Sequence, residues 1–584
     1  VSFAGSVVSV SINLDTFRNV EMVTGSTLND TIVGSTGDDN FSVTGATNNR
    51  GVVSGVTGVT TSFVSFENLS GGAGNDIFSI GNTLGLSGAI AGGAGSDRID
   101  YSLFAAGVTV NLATGSSTNI AGGISGLENI TGGLGDDQLT GDSGNNNING
   151  GATGNDILAD GLGDDTLVGN SGNTTYLLTP GGVDVVEDLG GTDTLNFSGS
   201  SAGVTINLDS RVVAQNVFGG NTVTLSTSLF GGDSIFENFI GSAFGDDVTA
   251  GDAVQRSITG GNGSDTFRTS ANGTNTWSIT AADQGSVVGS AQTVSFSSVE
   301  NLAGGAGADN FVFSNGVVTT GTINGGSGVA IDTLDFSSYT VGNSVNLDLA
   351  RLTEIESAIG GAGSDTITGD NVATLFRISN MNSGQIDGVF GFQSFENLVG
   401  GSAGDTFVFD PAGALTGGLD GGGASVPNLL TLSASDDTVT LTALGATTGF
   451  NGSVHEGATP ITSFVNINSV AGGGGTDSLT GLNAISGWTL NNGTADAYVS
   501  GGRSLAVDDV DSYVGGSMVD TFSLNGAQSV NLNGGTGNDR FTLASGASHT
   551  GMIAGGGGTD TIQFAGTTAE VVTLTANSFA GMST

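Results

Sequence analysis

Short runs in which apolar and polar residues alternate recur along this chain. Examples are IFSI at Ile77, VTVNL at Val108, TLNF at Thr194, VTINL at Val204, NFVF at Asn310, SVNLDL at Ser344, TFVF at Thr406 and RFTL at Arg540. Runs this short, rich in Phe, Val, Ile and Thr, predict β-strands with one face buried. Glycine and aspartate clusters bound them, and such clusters predict turns. Capped helical periodicity is scarce. Leu349 to Ile359 is the best exception and is too short to be convincing, so the chain reads as all-β.

The turns repeat. GGAGNDIF starts at Gly71, GGAGSDRI at Gly92, GGNGSDTF at Gly260, GGAGADNF at Gly304 and GGAGSDTI at Gly360. GGSAGDTF at Gly400, GGGGTDSL at Gly472, GGSMVDTF at Gly515, GGTGNDRF at Gly534 and GGGGTDTI at Gly555 continue the series, and a tandem pair opens at Gly25. Asp76 and Asp97 are 21 residues apart, Asp137 and Asp156 are 19 apart, and Asp520, Asp539 and Asp560 are separated by 19 and 21. Intervals near one or two multiples of about twenty residues predict an elongated parallel β-helix or β-roll solenoid, one coil per interval. The expectation is one continuous solenoid over 1–584. Region 423–471, with Pro427 and Pro460, would be a degenerate stretch or a lateral excursion. About 29 coils at the spacing of neighbouring strands would extend on the order of 140 Å. Phe78, Phe267, Phe311, Phe407, Phe522 and Phe541 share one place after the turn and are expected to stack inward.

The stretch 132–177 is densest: GGLGDDQLT, GDSGNNNIN, GGATGNDILA, DGLGDDTLV and GNSGNTTYL follow one another. It resembles the nonapeptide GGxGxDxUx of the RTX family of secreted bacterial proteins. The resemblance implies a parallel β-roll in which six residues form a calcium-binding turn and three form a strand.

Composition agrees with that expectation. The chain has 105 glycines, four prolines, no cysteine and a net charge of −45, with no lysine and 44 Asp against 11 Glu. A helical protein would favour Glu, whereas Asp suits turns and hard cations. The charge excludes nucleic acid as a partner, and no apolar run is long enough for a membrane span. The sequence reads as a processed form or a section of something longer.

Calcium takes six to eight oxygens, and glycine turns can bring main-chain carbonyls together. One turn cannot surround the ion, so a neighbouring coil must contribute. The expected pairs are Asp137 with Asp156, Asn146 with Asp165, Asp76 with Asp97, Asp247 with Asp265, and the series Asp520, Asp539 and Asp560. Gly135 and Gly163 belong to the same turns. Asp30, Asp39, Asp309, Asp365 and Asp405 are further candidates. Asn146 and Thr174 would be weaker ligands, and Asp477 looks isolated. The alternative role for all of these is side-chain bonding to the turn backbone.

A second phrase precedes many turns: SFENL at Ser65, SGLENI at Ser125, IFENF at Ile235, SVENL at Ser298 and SFENL at Ser394. It reads as a corner asparagine bonding nearby backbone, or else as a metal-ligating glutamate (Glu67, Glu128, Glu237, Glu300 and Glu396). Together with the glycine turn it also resembles long bacterial surface proteins built of β-strand repeats. Catalysis is not expected: His455 and His549 sit in Gly/Ser/Thr-rich stretches as exposed turn residues, and no GxSxG elbow has a credible base. The resulting expectation is a secreted or cell-surface calcium-stiffened rod: an adhesin stalk, a surface-layer protein or a fibre. Its partners would be calcium and either copies of itself or surface glycans. A glycan- or partner-binding module is the alternative, which the lone Trp277 and Trp488 do little to favour; a polysaccharide-active β-helix is less expected still.

Overall fold

The computed structural model describes residues 1–44, 49–55, 58–82, 85–179, 181–226, 235–251, 253–270, 272–289, 291–346, 352–423, 426–566 and 582–583. Every regular element among them is a β-strand. The helical candidate instead contributes strands Leu352–Thr353 and Ser357–Ile359, with 349–351 outside the described residues. The chain forms a mostly parallel β-solenoid, in two compact units. One comprises Val1–Asn275, Ala282–Gly305 and Thr319–Gly321; the other comprises Thr276–Ala281, Ala306–Val318 and Thr322–Thr584.

In the first unit successive nonapeptides alternate between two sheets. Asn129–Thr131, Asn147–Asn149, Thr166–Val168 and Val183–Glu187 pair in parallel, one above the next. Gln138–Thr140, Ile157–Ala159, Thr175–Leu177 and Thr194–Asn196 do the same on the other side. Each three-residue strand buries its central side chain. The in-register partners Leu139, Leu158, Tyr176 and Leu195 therefore form one inward column, and Ile148, Leu167 and Val186 form another.

The second unit repeats the plan with larger side chains. Phe376 lies over Phe407 at 4.9 Å, and Trp488, Phe522 and Phe541 stack with centroids 5.4 and 4.8 Å apart. All six expected phenylalanines are fully buried. Trp277 and Trp488 occupy the same inward place and are buried too, so neither offers an aromatic platform. Truncating the middle of a stack leaves a cavity in a close-packed core. Phe522→Ala is expected to cost about 3–5 kcal/mol in denaturant titration. The outward Thr521→Ala should cost under about 0.5 kcal/mol.

Three-stranded antiparallel meanders interrupt the parallel order. In the first unit one is built from Asn40–Val43, Arg50–Ser54 and Thr60–Val64. Among the described residues, three lie wholly within the second unit: Leu375–Asn380 with Ser383–Ile386 and Phe390–Gln393; Asp437–Leu444 with Phe450–Glu456 and Thr459–Ile467; Ser486–Leu490 with Asp496–Ser500 and Arg503–Asp508. The third strand of each pairs in parallel with the preceding coil, and the first strand with the following coil. Region 423–471 is thus mainly one such excursion, lying within the stack of coils.

Candidate functional site

Most glycine turns among the described residues fold an aspartate back beneath themselves; Asn146 and Thr174 take that buried place in two of them. In the turn starting at Gly132, Asp137 is 1% exposed; its Oδ2 accepts the Gly133 N–H at 2.6 Å and its Oδ1 accepts Val108 N–H from the preceding coil at 2.7 Å. Asp365 does the same with Gly361 and Asn343, both at 2.7 Å. Two of the glycines are required for different reasons. The second often holds a positive φ, 103° at Gly72 and 99° at Gly151, which favours a residue without Cβ. At the first, a Cβ would collide with the turn's own aspartate and with the next coil's backbone, as at Gly71 with Asp76 and the Gly92 carbonyl.

Because each carboxylate reaches one coil back, the aspartates form an inner ladder. Asp137 N–H donates to Asp156 Oδ1 at 2.9 Å, Asn146 N–H to Asp165 at 2.8 Å, and Asp76 N–H to Asp97 at 2.7 Å. Asp520 donates to Asp539, and Asp539 to Asp560, at 2.8 and 2.9 Å. These expected pairs do meet, through a backbone donor on one coil and a carboxylate on the next. Asp39, Asp309 and Asp405 are rungs as well, bonded to Asp76, Asp332 and Asn428. Asp30 takes Val10 N–H at 2.6 Å.

A second, outer ladder runs in the opposite sense one residue earlier in the turn. Asn155 N–H donates back to Asp136 Oδ1 at 2.8 Å, Asn173 to Asn155 at 3.1 Å, Thr192 to Asn173 at 2.9 Å and Ser96 to Asn75 at 2.8 Å. Where Asp156, Asp193 and Asp97 supply the inner carboxylate, the boundary is therefore fastened by reciprocal bonds, earlier N–H to later carboxylate inside and later N–H to earlier side chain outside.

Where no glycine turn follows, the glutamate phrase completes the rung. Asp30, Asp97, Asp193, Asp265 and Asp365 donate their N–H groups to Glu67, Glu128, Glu237, Glu300 and Glu396 at 2.8–2.9 Å. The adjoining asparagine returns to the same aspartate's carbonyl: Asn129 to Asp97 at 3.0 Å, Asn301 to Asp265 and Asn397 to Asp365 at 3.1 Å. Glu396 Oε1 also accepts Asn382 Nδ2 at 2.9 Å, and Glu67 Oε1 accepts Asn49 Nδ2 at 3.1 Å. Both oxygens of these two glutamates are therefore held by protein donors. The phrase also has a topological meaning. Ser65, Ser298 and Ser394, with φ of 57°, 51° and 59°, directly follow returning strands Thr60–Val64, Thr293–Ser297 and Phe390–Gln393.

Several placements differ from the sequence expectation. The rung is Asp246, five residues after Gly241, and not Asp247. Asp246 is 2% exposed and bonds Val204, Ser242 and Asp265, whereas Asp247 faces outward and pairs with Arg268 at 2.8 Å. Asp477 is not isolated: it accepts Asp437 N–H and donates to Asp511, both at 2.9 Å. Asp184, Asp193, Asp332, Asp437, Glu356 and Asp511 are rungs that lack the full glycine signature. Their common signal is an acid two residues before a buried apolar side chain, as in Asp184-Val185-Val186. On the coil after Glu237 the same place holds Arg256, whose buried side chain reaches Asp209 at 2.7 Å. His455 lies half-buried in strand Phe450–Glu456, and burial lowers the pKa of His549; neither is an exposed turn residue.

Burial pushes many of the rung aspartates upward in pKa. Backbone donors oppose the shift and neighbouring acids commonly reinforce it. Asp76, Asp184, Asp265, Asp332, Asp477 and Asp539 rise to about 6, and Asp156 and Asp165 to about 7. Among the described residues no three acidic or histidine side chains converge as a metal cluster, so a bound cation would draw main-chain oxygens as well. The fit differs by turn. Asp137, Asp246, Asp365 and Asp520 have both oxygens engaged by protein donors. Asp76, Asp97, Asp165, Asp265 and Asp539 each leave Oδ2 buried without a hydrogen-bond donor. Buried acceptors of that kind suit a hard cation. No family model matches the chain, and no curated protein matches it.

Proposed function

We propose that this chain is a calcium-binding structural segment of a bacterial extracellular or cell-surface protein, such as an adhesin stalk, a surface-layer component or a fibre subunit. The observation that carries the reading is the set of buried, donor-free carboxylate oxygens beneath glycine turns on Asp76, Asp97, Asp165, Asp265 and Asp539. An anionic oxygen out of water and without a partner is costly, and a divalent ion supplied from outside the cell would remove that cost. Asp137, Asp365 and Asp520 would then act mainly as backbone fasteners. The resemblance of 132–177 to RTX repeats supports the same reading. A chelator-treated sample titrated with calcium chloride should gain thermal stability as the ion is taken up by the folded state. An unchanged Tm across millimolar calcium would refute it.

A further inference from the structure

Within the first unit one parallel sheet gives way to another. The sheet that holds Val183–Glu187 continues to Asn221–Ser226, adds Ala214–Phe218 in antiparallel, and ends there among the described residues. A new sheet starts on Thr205–Asn207 and continues through Asp247–Ala250 and Thr266–Thr269. Among the described residues no backbone ladder joins these two edges. A side chain does so instead: the Gln215 amide accepts Asn207 N–H at 2.7 Å and donates to the Asn207 and Ser210 carbonyls at 2.9 and 3.1 Å.

Beside that seam lies a turn of the usual length with the opposite charge. Gly251 to Arg256 repeats the spacing of Gly132 to Asp137 and Gly360 to Asp365, but an arginine stands in the rung's place. Its side chain is 1% exposed. Nη1 donates to Asp209 Oδ1 at 2.7 Å and to the Gly251 carbonyl at 2.9 Å, and Nε donates to the Phe236 carbonyl at 3.2 Å. Asp209 Oδ2 accepts Gly251 N–H and the Ser270 hydroxyl, both at 2.6 Å. Asp209 follows the strand of the coil before, and Ser270 that of the coil after, so three coils meet in one cluster. Burial would raise the pKa of Asp209, but Ser270, Arg256 and Gly251 outweigh it and hold the carboxyl below its ordinary value. The guanidinium thus gathers one carboxylate and two main-chain carbonyls, the kinds of oxygen that a hard cation takes.

We propose that Arg256 is a tethered cation that locks this seam without a bound ion, so that the two sheets stay joined when calcium is withdrawn. Only the contrast with the metal-bearing turns rests on the calcium reading; the lock itself does not. A guanidinium keeps its charge at every ordinary pH and cannot dissociate from the chain. Removing it would leave a part-buried carboxylate and two carbonyls without their donor.

The test is site-resolved hydrogen exchange on the full chain, in calcium and after chelation. In wild type the Gly251 and Asn207 amides should exchange equally slowly in both conditions. The amides of Asp76 and Asp520, bonded to Asp97 and Asp539, should quicken by about tenfold or more once the ion is gone. Arg256→Gln should quicken Gly251 and Asn207 by about tenfold or more with or without calcium. Arg256→Lys keeps the charge without the planar fork and should quicken them less. Chelation that quickens Gly251 in wild type as much as Asp76 overturns the lock and leaves the calcium reading standing. A glutamine variant that exchanges like wild type at Gly251 and Asn207 overturns the lock as well. If chelation leaves Asp76 and Asp520 unchanged too, the calcium reading fails, and the lock stands or falls on the glutamine variant.

Discussion

In the absence of divalent ions the protein is expected to become less stable as pH rises from about 4 to about 8, against the usual direction of acid denaturation. Many rung aspartates have folded pKa values raised above the unfolded value of 3.8, to about 6 at Asp76, Asp265 and Asp539 and about 7 at Asp156 and Asp165. Between those values the folded chain binds more protons than the unfolded chain, so stability falls as pH increases. The contribution is complete below the unfolded pKa and is lost as pH passes through about 6 to 7. Neighbouring rungs titrate together, so the loss should spread over more than one pH unit. Many groups act in the same direction, and metal-free Tm should drop by about 10 °C or more over this range. Calcium should restore most of that loss at high pH and little at pH 4, where protons already occupy the carboxylates. A metal-free Tm that rises between pH 4 and 7 would show that the buried rungs do not carry these shifts.

The second large effect is expected at a glutamate four residues before the glycine turn at Gly400. Glu396 holds Asp365 N–H at 2.8 Å and Asn382 Nδ2 at 2.9 Å, where the returning strand Phe390–Gln393 lies on the coil before it. Glu396→Ala removes the acceptor for two donors, one of them a buried backbone N–H, and should cost about 2–4 kcal/mol. Glu396→Gln keeps an acceptor for one donor and should recover about half of that loss. Urea titration measures both. Hydrogen exchange at the Asp365 amide should quicken in the alanine variant and stay close to wild type in the glutamine variant. An alanine variant as stable as wild type would mean that the clamp does not hold the meander against its neighbour.

The pH and clamp effects arise from features of unequal legibility in the sequence. Parallel coils, inward Phe columns and buried turn aspartates follow from spacing alone. Strands this short can bury a side chain only by stacking, and a glycine turn leaves room for a folded-back carboxylate. The pairs Asp137 with Asp156 and Asp520 with Asp539 were legible because both members carry the full turn. Asp437 and Asp332 were less so, since their turns lack the glycine spacing and only the buried residue two places later marks them. Asp247 shows how a doubled acid misleads: only the count from the first glycine assigns the inward place to Asp246.

The meaning of the glutamate phrase could not be read locally. Its partner lies 31 to 44 residues earlier, and in the meanders their meeting depends on chain reversals that fold the third strand onto the preceding coil. Long-range pairing of that kind is a property of the assembled sheets, which no window of sequence contains. By itself the sequence determined the coil, its buried columns and the residues able to face the turns, because each rests on side-chain size, alternation and glycine freedom within about twenty residues. Tertiary structure alone decided which oxygen of each carboxylate remains free. That depends on whether a donor from another coil or another turn arrives, and it separates a rung that is only a fastener from one whose remaining oxygen lies buried without a donor.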